Sequence, residues 1–251
     1  MAASDEVNVY WAPAISLSGM TDEPWVAAGG QFPYSDPKSL HAELMKEKNP
    51  NRGPSTFLSC PAAVSTFSRT VVFNNNRSCS YDYDLTDEQN LVITPKDERY
   101  LNCTVRRPPA LTGKPTVEFQ LRWIFFSEEP LIMSTTPPMF HQPKYTKYAT
   151  AIPGQYDIGR WFRPFIFEVQ TWEQKGHIKF EADEPLFYAT FNTDKKVNLR
   201  RFVYSDKLLE YASQCTTYYT NEKSMDKRYN LFESASMQHL VLQEIKKNLV
   251  G

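Results

Sequence analysis

Arg160 and Arg163 bracket Trp161 and Phe162 within IPGQYDIGRWFRPFIFEVQTWE, residues 152–173, a stretch with six aromatic rings, two arginines and three carboxylates. A guanidinium beside an indole supports two kinds of chemistry. It can stack on the ring and pair with a neighbouring carboxylate such as Glu168, covering the aromatic edge of a core strand. It can also hold an anionic or planar ligand in an aromatic-lined pocket. In the second case Arg160, Trp161 and Arg163 form the rim, with Tyr156 and His141 nearby. Their roles are then stacking and anion pairing, not proton transfer.

Other chemistry-bearing residues are scattered. The four histidines, His41, His141, His177 and His239, lie far apart, without the HxH or HExxH spacing of short-range metal sites. A set assembled from distant residues, such as His141 with Asp183 or Glu184, stays open. No GxGxxG, P-loop or GxSxG occurs, so no catalytic residue, metal or cofactor is nominated. HQPKYTKYAT (141–150) interleaves Lys144 and Lys147 with Tyr145 and Tyr148, a texture of single-stranded nucleic-acid binding or of a solvated strand face. STTPPMFHQPKY (134–145) carries three prolines and displays Met139 and Phe140. Such a stiff loop serves a binding surface or folds back to plug one end of the fold.

The elements that must position these residues are mostly strands. In VEFQLRWIFF (117–126), Val117, Phe119, Leu121, Trp123 and Phe125 alternate with Glu118, Gln120 and Arg122. Ile124 and Phe126 make both faces apolar, so the far end should enter the interior. Further strands are expected at 7–11, 69–73, 90–94, 99–105, 177–182, 185–191 and 197–204. A central strand over 161–172 would place Trp161, Arg163 and Phe165 on one face and Phe162, Pro164 and Ile166 on the other. Helices are expected over 35–48, from a proline in the first turn, and after Ser205 and Ser224 as caps. In the final segment Leu242, Ile245 and Leu249 form an apolar stripe that can dock on the body. Glu129-Pro-Leu and Glu184-Pro-Leu open two similar seven-residue segments. They are either two equivalent β units or a coincidence of strand starts.

The predicted fold is therefore mainly β: a two-sheet, jelly-roll-like sandwich with peripheral helices. A single domain is expected, with a body over about 1–204 and a helical C-terminal segment over about 205–251. The 251 residues, 41% hydrophobic and 14% aromatic, can bury a sizeable core. A net charge of −1 disfavours nucleic acid and anionic membranes as partners. No apolar run reaches membrane-spanning length. Asp5 and Glu6 precede any apolar segment, unlike a secretory signal, so a cytoplasmic protein is expected. Cys60, Cys79, Cys103 and Cys215 lack CxxC pairs and read as mostly buried thiols.

VNVYWAP, LRWIFFSEEPLIM, the 152–173 block, DEPLFYATFNTD and EIKKNL together resemble a group of proteins of marine tailed phages, chiefly cyanophages. The similarity runs through most of the chain and is weakest at 20–110. Residues 160–193 are also distantly similar to a bacterial domain family of unknown function. Neither group brings an assigned activity. The resemblance implies a phage protein in a host bacterial cytoplasm or a virion. The expected function is a non-enzymatic binding or structural module with a protein partner or small ligand. The alternatives are a metal-dependent enzyme on a cupin-like double-stranded β-helix, and a single-stranded nucleic-acid binder.

Overall fold

The computed structural model describes residues 5–14, 35–46, 57–75, 77–87, 92–96, 103–106, 116–219 and 224–250. In chain order they form β1 (Glu6–Pro13), β2 (Lys38–Ser39), α1 (Leu40–Lys46), α2 (Pro61–Ser68), β3 (Thr70–Asn74), β4 (Cys79–Asp84), β5 (Val92–Pro95) and β6 (Cys103–Arg106). Then come β7 (Thr116–Ser127), β8 (Ile132–Thr136), β9 (Ala149–Ala151), β10 (Gly154–Asp157), β11 (Phe165–Thr171), β12 (Lys175–Phe180), β13 (Pro185–Phe191) and β14 (Lys196–Arg201). Three helices follow: α3 (Asp206–Tyr219), α4 (Met225–Ser234) and α5 (Met237–Lys247). Residues 90–91, 99–102 and 47–48 of the expected elements lie outside the described residues.

The fold is mainly β, with helices on the flanks and at the C-terminal end. One sheet runs β14-β1-β7-β11-β9, with β6 also on β7, and a second runs β10-β8-β13-β3-β2. A third, smaller sheet, β12-β4-β5, packs against the same core. β7 is central: its first half pairs with β6, its second half with β1, and its other edge with β11. Its two apolar faces have different destinations. Val117, Phe119, Leu121, Trp123 and Phe125 enter the core between the sheets, where Phe73 stacks on Phe187 with centroids 4.9 Å apart. Ile124 and Phe126 face the other way, into an outer core with Leu208, Phe232, Val241 and Ile245 of the C-terminal helices. On the opposite flank α1 and α2 bury Leu40, Leu44 and Phe67 against Val72 and Tyr188. Each face of the sandwich is thus apolar because each has something to cover it.

The chain's end is fastened to the body. Val203 donates its N–H to Asn248, and Val250 to Arg201, both across an isolated bridge between Phe202 and Leu249. Ser205 and Ser224 cap α3 and α4 as expected, accepting from Leu208 N and Lys227 N.

Several details depart from the sequence expectations. β1 pairs with β14 in parallel, an addition to an all-antiparallel sandwich. The helix expected from residue 35 begins at Leu40, because Lys38 and Ser39 pair with β3 first. The two Glu-Pro-Leu segments lead into β8 and β13, which are antiparallel neighbours in one sheet. The strand expected over 161–172 begins only at Phe165. Pro164 cannot donate to a ladder, and it holds the residue before it out of helical geometry, so the four residues Trp161–Pro164 form a separate connection.

Candidate functional site

That connection is built on a buried carboxylate. Asp157, at the end of β10, accepts N–H bonds from Leu131 and Gly159, both at 2.9 Å, and donates its own N–H to the Tyr229 hydroxyl of α4 at 2.8 Å. Gly159 is required for space: a Cβ there would lie 2.1 Å from the Glu129 carbonyl oxygen. Beyond this tight approach, Trp161 and Phe162 both turn inward, breaking the alternation of a strand. Phe162 meets Phe126 edge-on at 5.5 Å, and Trp161 is only 4% exposed. Apolar burial of two consecutive rings forces the flanking arginines outward.

The arginines have different fates. Arg160 lies over the Tyr229 ring at 4.9 Å and grips Glu233 through Nε at 2.6 Å and Nη2 at 3.3 Å. The Glu233 carboxylate raises its pKa further. Arg160 is therefore a clamp between the connection and α4. Arg163 is exposed and makes no ion pair or hydrogen bond among the described residues. It lines a cleft of about 360 Å³ between β10, β11 and α4, with Tyr156, Trp161, Phe165, Glu168 and Arg228. The Arg228 guanidinium sits over the Trp161 ring at 5.9 Å. Glu168 is held by the Thr116 hydroxyl. Tyr156 is half-buried, its hydroxyl oxygen sealed from solvent and without a hydrogen-bond partner. Burial raises its pKa, outweighing the opposing charge of Arg163, so the phenol is neutral.

Tyr156, Trp161 and Arg163 thus line one cleft, and three expectations need correction. Arg160 does not line the cleft, because Glu233 draws it away. His141 lies on the other side of the sandwich, its Nδ1 bonded to the Tyr188 hydroxyl at 2.5 Å. The stacking role assigned to Trp161 also changes: its ring is covered by Arg228, which leaves Phe165 and Tyr156 as the partly accessible rings. Sequence patterning did not single out Arg228, whose only local signal is its place on an amphipathic helix three residues after Met225. The loop 137–143 folds back on the second sheet, where Phe140 stacks on Tyr188 at 6.3 Å and meets Phe67 edge-on at 5.1 Å. Met139 stays exposed.

Chemically, the cleft offers the Arg163 guanidinium beside aromatic walls, with the Arg228 guanidinium laid over Trp161 and the Glu168 carboxylate held by Thr116. It can hold an anion with an apolar body. Its volume falls at the small end of ligand sites, roughly 300–1,000 Å³. Among the described residues no three His, Cys, Asp or Glu side chains converge as a metal set, and His141 and Glu184 are engaged by Tyr188 and Lys144. Among the described residues no helix is long and apolar enough to cross a membrane.

Fold and cleft together define a class: a helix-flanked β-sandwich with an arginine-lined crevice where a strand of each of the two larger sheets meets the C-terminal helices. No protein-family model, no curated protein and no solved structure matches this chain.

Proposed function

We propose that this chain is a non-enzymatic binding module of phage type, and that its β10–β11–α4 cleft takes a small anionic ligand with a planar or apolar body. The observation that carries this is Arg163. Among the described residues, Arg160, Lys175, Lys195 and Lys196 each have a carboxylate partner within 3 Å. Arg163 stands at a concave, ring-lined site with no ion-pair partner among the described residues. Buried Phe162 and Pro164 hold the backbone that carries Arg163 at the cleft mouth, and its guanidinium fork can pair in a bidentate way with a carboxylate or phosphate. The resemblance to tailed-phage proteins is the support for reading such a module as acting in a host bacterial cytoplasm or on a virion.

The test is calorimetric titration of the full chain with benzoate, indole-3-acetate and an acidic tripeptide. At least one should bind, Arg163→Ala should weaken it tenfold or more, and Arg160→Ala should leave it within about twofold, because loss of a charge-assisted pair is worth about 1.5–3 kcal/mol. Equal loss in both variants, or no binding by any of the three at low salt, would remove the support for this site.

A further inference from the structure

A second concave surface lies at the 3₁₀ turn Lys144–Lys147, against β12 of the third sheet. Tyr145 anchors that turn: its hydroxyl donates to the Leu186 carbonyl at 2.5 Å, and its ring packs on Phe180 and Phe167. In a 3₁₀ turn residues i and i+3 eclipse, so Lys144 and Lys147 share a side. Both line a cleft of about 490 Å³, opposite His177 and Lys179, which alternate onto one face of β12.

The charges in this cleft are only partly matched. Glu181 serves both Lys144 and Lys179, each at 2.7 Å. Glu184 accepts the Lys144 backbone N–H at 3.0 Å. Asp82 is shared between His177, at 2.9 Å, and Lys96. Lys147 has no ion-pair partner among the described residues, its ammonium lying 5.3 Å from the centre of the Tyr148 ring. Beside it, Trp172 is 42% exposed. It is nevertheless pinned, with Nε1 donating to the Thr146 carbonyl at 2.9 Å and its backbone N–H to Tyr148 at 2.8 Å. An exposed indole held rigid next to an unmatched ammonium and two further lysines combines a stacking platform with a backbone-tracking charge.

We infer that this face binds single-stranded nucleic acid, stacking one base on Trp172 and placing the adjoining phosphates against Lys147, Lys144 and Lys179. Base stacking is sequence-tolerant, so the site takes a short run of any unpaired nucleotides. The footprint is small, about two phosphates. Binding should therefore be weak and moderately salt-dependent. For two phosphates on a single strand the log–log slope is about −1.4, an affinity loss of about sevenfold from 50 to 200 mM salt. At 0.1 M salt the Debye length is about 10 Å, so distant carboxylates are screened; Glu181, Glu184 and Asp82, which touch the cleft's own groups, are not, and the attraction rests on Lys147.

The experiment is titration of the full chain with a ten-residue oligothymidylate, followed by tryptophan fluorescence between 20 and 200 mM salt. Expected are quenching in the parent chain, affinity by calorimetry three- to tenfold weaker in Trp172→Ala, and affinity three- to tenfold weaker in Lys147→Ala with a slope shallower by about 0.7. Arg163→Ala should change neither, which separates this site from the β10–β11–α4 cleft. No binding at 20 mM salt, or binding indifferent to Lys147→Ala and to Trp172→Ala, would overturn the inference. Inorganic pyrophosphate binding as tightly as the oligonucleotide would also overturn it, since the base would then contribute nothing.

Discussion

Replacing Gly159 by alanine should destabilise the protein far more than the same change at Gly154, although both glycines lie on one short stretch. The methyl group at 159 would sit 2.1 Å from the Glu129 carbonyl oxygen, 2.6 Å from its carbon and 2.9 Å from the Pro130 Cα. All three are backbone atoms, so relief requires the 157–160 turn to retreat from the 129–131 segment by about 1 Å or more. That movement stretches the Ile158 N–Leu131 O bond and the Leu131 N–Asp157 Oδ1 bond, each 2.9 Å. Overpacking costs about 1–3 kcal/mol, and a weakened bond to a buried charge about 1.5–3 kcal/mol. A total near ~3 kcal/mol, at about 2–4 °C per kcal/mol for a chain of this size, lowers Tm by about 6–12 °C. At Gly154 the added carbon meets only the Thr135 Oγ1 at 3.4 Å, ordinary contact, and Tm should stay within about 2 °C. Scanning calorimetry on both variants decides the matter. If Gly159→Ala melts with Gly154→Ala and the parent, the close approach that shapes the Trp161–Arg163 connection is wrong.

Other outcomes follow from the same geometry. Arg160→Ala should lower stability by about 1 kcal/mol, the worth of a partly exposed ion pair with a ring contact, measurable as a shift of urea midpoint. Ile245→Ala, which empties a fully buried position under the first sheet, should cost about 2–5 kcal/mol by the same assay. Hydrogen bonds from Lys144, Lys179 and Ser78 hold the Glu181 carboxyl down at about 2, from an ordinary value of 4.5. A depressed folded pKa contributes stability above the unfolded value, lost as pH falls from about 4.5 toward 2, so Glu181→Gln should flatten the Tm–pH curve in that window. Of the four thiols, Cys60 should react first with iodoacetamide at pH 8, being exposed and favoured as thiolate by the Ala63 and Ala62 N–H groups. Burial pushes Cys103 up to about 11 and Cys215 up to about 12, so both should label slowly until the protein unfolds, which mass spectrometry after timed quenching would show.

Much of the fold was legible in local patterns. The alternation in residues 117–126 marks β7 and even its doubly apolar far end, because side chains on a strand alternate whatever lies around them. The segment 185–191 is β13 residue for residue. Ser205 and Ser224 announce their helices, since a cap hydroxyl needs only the N–H groups of the next turn. Where sequence and structure part, the deciding contact is remote. β4 alternates polar and apolar in CSYDYD, yet it borders β12 from nearly a hundred residues away, and neither segment alone names its neighbour.

The candidate site divides along the same line. That the 152–173 block would bury aromatic rings was legible in its residues, but an alternating strand over 161–172 puts Trp161 and Arg163 on one face, and the inward turn of both Trp161 and Phe162 came only with the connection before Phe165. Which arginine stays available was decided only by tertiary structure. Glu233 and Tyr229 reach Arg160 from a helix about seventy residues further on, while Arg163, three positions from Arg160, lines a cleft and makes no ion pair among the described residues. Likewise the Lys144–Lys147 stretch reads as a strand face until Tyr145 finds the Leu186 carbonyl and folds it into a turn. Periodicity is a property of the nearest few residues. Charge matching and concavity depend on what the chain brings back from afar.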